Sequence, residues 1–141
     1  MKTLSLCRVG TTICGVLIGL SAVEAAIPPL QPAQRIAQSD IVVQARIVAI
    51  INRVVKNNPG HNDDYLAKVV VERASKGRVR RGQTLTVHYW HLRDRPNGWV
   101  GPVGQNVLPQ SGQRGTLFLK RGASARAPYE LLQPNGWELS K

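Results

Sequence analysis

Asp40-Ile41-Val42-Val43-Gln44-Ala45-Arg46-Ile47-Val48-Ala49-Ile50-Ile51 is the stretch on which the fold turns. Its odd positions are apolar throughout, whereas Asp40, Gln44 and Arg46 fall on the even ones. Period-two alternation of this length, dense in β-branched residues, predicts a half-buried strand with its odd face inward. A helix would set that β-branched density against its own rotamer preferences.

Downstream, the pattern recurs. Arg53 is followed by Asn57-Asn58-Pro59-Gly60 and Asn62-Asp63-Asp64, turn chemistry that predicts a loop over residues 53–64. Tyr65, Ala67, Val69 and Val71 then alternate with Lys68, Val70 and Glu72, predicting a second strand over residues 65–74. Leu85, Val87 and Tyr89 against Thr84, Thr86, His88 and Trp90 predict a third. Residues 91–113 carry Pro96, Gly98, Gly101 and Pro102, then Gly104, Pro109 and Gly112, with no sustained period. So long a connection in a compact domain is functional, disordered or a packed cover. Leu117, Phe118 and Leu119 restore a strand over residues 116–120, residues 121–128 read as a turn, and Tyr129 to Leu132 and Trp137 to Leu139 complete the set. Short connections favour antiparallel neighbours, because parallel ones need long crossovers. The expected fold is mainly β: a small five- to six-stranded antiparallel barrel, closed or nearly so to hide its edges.

Upstream, residues 26–39 hold Pro28, Pro29 and Pro32 before Ala33-Gln34-Arg35-Ile36-Ala37-Gln38, predicting an extended leader and a short helix that covers one end of the β domain. Residues 1–25 read as a signal peptide. Lys2 and Arg8 precede an apolar run from Ile13 to Val23, and Val23-Glu24-Ala25 offers compact residues for cleavage after Ala25. That run is too short for a retained spanning helix. Cys14 lacks the preceding Leu and small residue of a lipid-modified cysteine. The expected location is therefore periplasmic or extracellular, and residues 40–141 form the working domain.

Both cysteines, Cys7 and Cys14, lie in the leader, so the exported part is expected to use neither disulfide nor thiolate and to rest on an ordinary core. The whole chain carries 19 basic and 8 acidic residues, a formal +11. Cleavage would remove Lys2, Arg8 and Glu24 and leave that excess almost intact. Such a field attracts anionic partners without choosing among them. Export makes genomic nucleic acid an unexpected partner and leaves an acidic protein or an anionic envelope polymer.

Pro96-Asn97-Gly98-Trp99 and Pro134-Asn135-Gly136-Trp137 repeat one turn motif, with Asn and Gly suited to positive φ and both tryptophans expected to fold back onto the sheet. Separately, Asp40-Ile41-Val42-Val43, Val69-Val70-Val71-Glu72-Arg73-Ala74-Ser75-Lys76-Gly77, Gly112-Gln113-Arg114-Gly115-Thr116-Leu117-Phe118-Leu119 and Tyr129-Glu130-Leu131-Leu132 resemble small exported bacterial domains of OB-fold character. These are similar to netrin and metalloproteinase-inhibitor modules. The resemblance spans residues 37–139 and implies a fold more than an activity. Inhibitors of that type reach a target's zinc through an N-terminal cysteine, and no cysteine follows Cys14 here, so that mechanism transfers to no residue of this chain.

A search for chemistry returns little. His88 and His91, three apart on a strand, point to opposite faces and cannot share an ion, and His61 with Asp63 is a thin alternative. Ser75, Ser111, Ser124 and Ser140 sit in turns or tails, outside any nucleophile elbow. Pro102 interrupts the glycine-rich stretch from Gly101 to Gly104 where amides would have to point at a phosphate. The expectation is a monomeric, noncatalytic binding module without metal or cofactor, its mature domain not spanning the membrane. Candidate binding residues are His88, Trp90, Arg93, Arg95 and Trp99 beside the third strand, where cations alternate with aromatics. Lys76, Arg78, Arg80 and Arg81 form a second candidate group in the turn before it. An inhibitor or accessory domain of an exported enzyme, acting through its loops, is the alternative.

Overall fold

A computed structural model describes residues 27–56, 60–94 and 97–141; the expected signal peptide lies outside them. Helix α1 (Pro32–Gln38) leads into β1 (Ile41–Lys56), β2 (His61–Lys76), β3 (Thr84–Leu92), β4 (Arg114–Ser124), β5 (Ala127–Leu131) and β6 (Trp137–Leu139). The fold is mainly β, with a single short helix among the described residues. No helix among them is long and apolar enough to cross a membrane.

The strands form one mixed sheet that closes on itself. β1 pairs with β2, β2 with β3, β3 with β5, β5 with β4, and β4 returns to β1, giving a ring of five. The expected antiparallel arrangement holds for every link but one. Val87 and His88 run parallel to Tyr129 and Glu130, because the chain between β3 and β5 makes a full excursion through residues 93–113 and β4. β4 is the joint of the ring: one edge takes β1 while the other takes β6 and then β5.

Alternation drives the closure. Val43, Ala45 and Ile47 from β1 meet Val69 and Val71 from β2, Leu85 and Val87 from β3, Leu117 and Leu119 from β4, and Trp137, all buried inside the ring. Removing each branched aliphatic side chain from water contributes about 1.5–3 kcal/mol, and no cysteine lies among the described residues to add a disulfide.

The odd-inward reading of residues 40–51 holds only through Ile47. Ile47 opposes Val69 and Ala49 opposes Lys68, leaving Val48 unmatched. One extra residue in a ladder flips every side chain beyond it. Ile50 consequently packs on the core, and Ile51 is 63% exposed.

The loop expected over residues 53–64 is instead mostly strand. β1 runs on to Lys56 and β2 begins at His61, with residues 57–59 outside the described set. Asn62, Asp63 and Asp64 are held extended between two neighbours: Asp64 pairs across to Arg53 on one side and to Trp90 on the other. Ladder pairing on both edges overrides their turn preference. Similarly, β4 and β5 extend into the turn expected over residues 121–128, leaving only residues 125–126 between them.

The expected leader and helix are present, and they cover the outer face of β1 and β4. Leu30 packs on Val42, Phe118 and Leu132. The Arg35 guanidinium lies 4.5 Å from the Phe118 ring centroid and donates to Glu138 Oε2 at 2.9 Å. Asn135 grips the leader at both ends of one residue, accepting from the Leu30 amide at 3.0 Å and donating to its carbonyl at 2.9 Å. Residues 97–113 fold back as a cover fastened to the ring at 103–105 and 112–113, with Leu108 against the core, while Val100 and Val107 stay exposed. The Leu92 amide donates to Val103 and the Gln105 amide to Trp90, extending the ladder by one bridge. Gln105 is wholly buried: its Nε2 donates to the carbonyls of Leu131 and Leu132, and its Oε1 accepts from the Gly136 amide.

Candidate ligand-binding cleft

Outward-facing residues of four strands line up in transverse rows. Ile51, Leu66, His88 and Glu130 are successive ladder partners from β1 to β5; Arg53, Asp64 and Trp90 form the next row. The tip of the β4–β5 hairpin adds Ser124, Arg126 and Ala127. Between this hairpin and the β1–β2 arm lies a cleft of about 420 Å³, floored by Leu66 and His88.

Its electrostatics are mixed. Asp64 Oδ2 stands 3.8 Å from both Arg53 and His88 Nε2, too far for hydrogen bonds, and with Arg53 it forms a loose ion pair. Asp64 is the most buried of the three, so its charge is the one shielded from solvent. Arg126 and Glu130 stay exposed on the opposite wall. With apolar Ile51, Leu66 and Ala127 between them, the cleft offers greasy contact flanked by charges of both signs.

Of the described candidate binding residues, His88 alone lines this cleft. Trp90 shares its outward side, but Gly104 packs on its ring and backbone; φ +82° and that contact both require glycine there. The aromatic is therefore a seat for the cover. Arg93 chelates Asp63, with Nε at 3.1 and 3.2 Å and a terminal nitrogen at 2.9 Å, and this carboxylate keeps the guanidinium protonated more firmly than usual. That pairing occupies Asp63, while His61 Nδ1 faces Asp94 at 2.8 Å, so the His61 and Asp63 cation site is not assembled. Arg95 lies outside the described residues.

The two tryptophan turns part company. Trp137 is buried in the core as expected. Trp99 instead folds onto its own loop, over Gly101, with Nε1 donating to the Pro102 carbonyl at 3.4 Å. Gly98 adopts positive φ (+77°), whereas Gly136 does not; its need is for space, being pressed against Leu132 and Leu131.

The basic turn is also divided. Lys76 Nζ donates to the Ile36 carbonyl at 2.7 Å, tying β2 to the end of α1. Arg78, Arg80 and Arg81 are exposed and make no ion pair among the described residues. Four residue-to-residue steps along β3 take Thr84 at that turn to His88, about 13 Å at 3.3 Å per step, so turn and cleft are separate places.

Ile51, Arg53, Asp64, Leu66, Arg126 and Glu130 escape a reading of the sequence alone. Asp64 and Arg53 hide in apparent turn chemistry. The signal that could find them is that Asp64, Leu66 and Lys68 continue the outward parity of β2 without a break.

Beneath the floor, Tyr65 and Tyr89 stack with centroids 4.9 Å apart and rings 8° from parallel. Tyr89 is 2% exposed and its hydroxyl has no partner among the described residues. Burial, and then its neighbour Tyr65, push its ionisation well above the tyrosine range. Tyr65 is raised too, by burial and then Asp63.

Comparison with protein families, curated proteins and solved structures returned no match to this chain.

Proposed function

We propose that this chain is an exported, noncatalytic binding module of OB-like form that takes an acidic protein in the cleft between its two hairpins. Ring order β1-β2-β3-β5-β4-β1, with β3 and β5 parallel, supports the OB-like reading. The position of the cleft carries the functional one: it crosses the outer faces of β2 and β3 between the β1–β2 and β4–β5 hairpins, where small barrels of that kind engage their ligands. The excess of positive charge, +11 over the whole chain and +10 (17 basic against 7 acidic residues) without Lys2, Arg8 and Glu24, supplies long-range attraction to an acidic partner. At close range the cleft mixes apolar Ile51 and Leu66 with Arg53 and Arg126. That lining suits a polypeptide better than a uniformly anionic polymer, which would meet Asp64 and Glu130 as well.

The test compares retention of the purified protein on immobilised polyglutamate and on heparin at rising salt. Acidic-protein recognition predicts binding to polyglutamate that weakens with salt and drops at least about tenfold in Leu66→Glu, which sets a like charge in the cleft floor. Replacing Arg78, Arg80 and Arg81 together by Ala should change it little. Loss confined to that triple variant would relocate the site to the turn, and salt-independent retention would refute charge-guided binding altogether.

A further inference from the structure

β1 is paired on both edges only in its first half. Residues Ile41 to Arg46 face β4, the Ile47 amide donates to Gln113 and its carbonyl accepts from Gly112, and the Val48 carbonyl accepts from Ser111 Oγ at 3.1 Å. From Ala49 to Lys56 the strand keeps β2 on one side, and among the described residues no strand or loop backbone pairs with the other. Eight residues of regular ladder thus present an open edge of amides and carbonyls. Natural sheets normally shorten, twist or cover such an edge because it invites another strand.

The side chains on it say what that strand would be. Past the bulge at Val48 the register is unbroken, so Ile51 and Arg53 share the cleft's face while Val54 and Lys56 share the reverse. Each face therefore offers one exposed hydrophobe, Ile51 at 63% or Val54 at 49%, followed two residues on by a cation. β1 has no acidic residue anywhere in its length. A second copy would set Arg53 and Lys56 against their own kind on a chain already at +11, and like charges across a strand pair repel.

We infer that the free edge of residues 49–56 receives an extended acidic segment of another protein as an added strand. Backbone hydrogen bonds would supply affinity, and acids opposite Arg53 and Lys56 would supply selectivity. This rests on the reading of the partner as an acidic protein, and it names the way that partner is held. Ile51 and Arg53 belong to both surfaces, so the strand would border the cleft and direct half its side chains toward it.

The probe is a labelled peptide of repeated valine-valine-glutamate-glutamate, about ten residues long, which sets both residue types on each face of a strand and is titrated against the purified protein by fluorescence anisotropy. A second peptide of the same sequence carries N-methylated backbone amides. Strand addition predicts at least about tenfold weaker binding of the methylated peptide, a similar loss in Arg53→Glu with Lys56→Glu, and slowed amide exchange at residues 49–56 with the parent peptide bound. If the methylated peptide binds equally well and those amides stay unprotected, the edge proposal falls while acidic recognition survives. If neither peptide nor polyglutamate binds, both fall. A concentration-dependent dimer in sedimentation, abolished by Ile51→Lys, would assign the edge to a second copy and overturn the proposal.

Discussion

Replacing Gln105 by Leu removes one polar plug while keeping nearly its volume, so the result isolates hydrogen bonding from cavity formation. The side chain is 0% exposed and makes three bonds: Nε2 to the Leu131 carbonyl at 3.3 Å and the Leu132 carbonyl at 3.0 Å, and Oε1 from the Gly136 amide at 3.2 Å. A typical bond contributes about 0.5–1.5 kcal/mol net, and a buried group left without its partner costs about 1–3 kcal/mol. The Gly136 amide is the group most exposed to that penalty, because it loses its acceptor in a place where Leu132 already crowds it. Against this, leucine gains part of a buried aliphatic side chain's transfer energy. The expected net loss is about 2–4 kcal/mol, which lowers the melting point by roughly 8–16 °C in a domain of this size. Guanidinium unfolding followed by circular dichroism measures it, with an unchanged m-value showing that only stability moved. Gln105→Glu should be worse still, since it turns a buried charge toward two carbonyls. A Gln105→Leu protein within about 0.5 kcal/mol of the parent would refute the idea that this residue fastens the cover to the ring.

Tyr89→Phe should stabilise the domain by about 1 kcal/mol near neutral pH, because it deletes a buried hydroxyl without a partner among the described residues. Its raised ionisation adds a pH signature: the folded state holds the phenol proton more tightly, so that stability is complete below pH ~10 and declines as pH rises further; denaturation midpoints across alkaline pH should fall less steeply in the variant. Gly104→Ala must abandon φ +82° and push against the Trp90 backbone, so a loss beyond the roughly 1–3 kcal/mol of the dihedral alone is expected by thermal melting. Trp137→Ala should cost about 3–5 kcal/mol, and Trp99→Ala under about 1 kcal/mol, since the first lies in the core and the second on its own loop; equal losses in chemical denaturation would contradict that division.

Alternation makes the three leading strands and most of the core readable, from Val43 through Ala67 and Leu85 to Leu119. What escapes the sequence has physical causes. No pattern in Ile47-Val48-Ala49 announces a bulge, since all three residues suit either face of a strand, so alternation alone puts Ile51 on the wrong side. Asn62-Asp63-Asp64 carries the composition of a turn, and only the ladders to Arg53 and Trp90 keep it straight. The cleft combines residues from five strands whose convergence depends on the parallel step from β3 to β5, a long-range event with no local signature. His88 is legible because its outward parity on β3 needs no tertiary knowledge. Arg93 and Trp99 are legible as residue types near that strand, but their engagements with Asp63 and Pro102 come from loop geometry.

Three different strands lean on β4, and this sets the order in which the molecule can be assembled. β1 emerges first from a ribosome yet has to wait through β2, β3 and the whole cover before β4 can meet it. Until then the early hairpin is a curled ribbon with one greasy side in water, and its closing contact spans most of the domain, a topology that folds slowly. A chain halted before Arg114 would own the larger part of its core residues and still lack the piece that joins its first strand to its last.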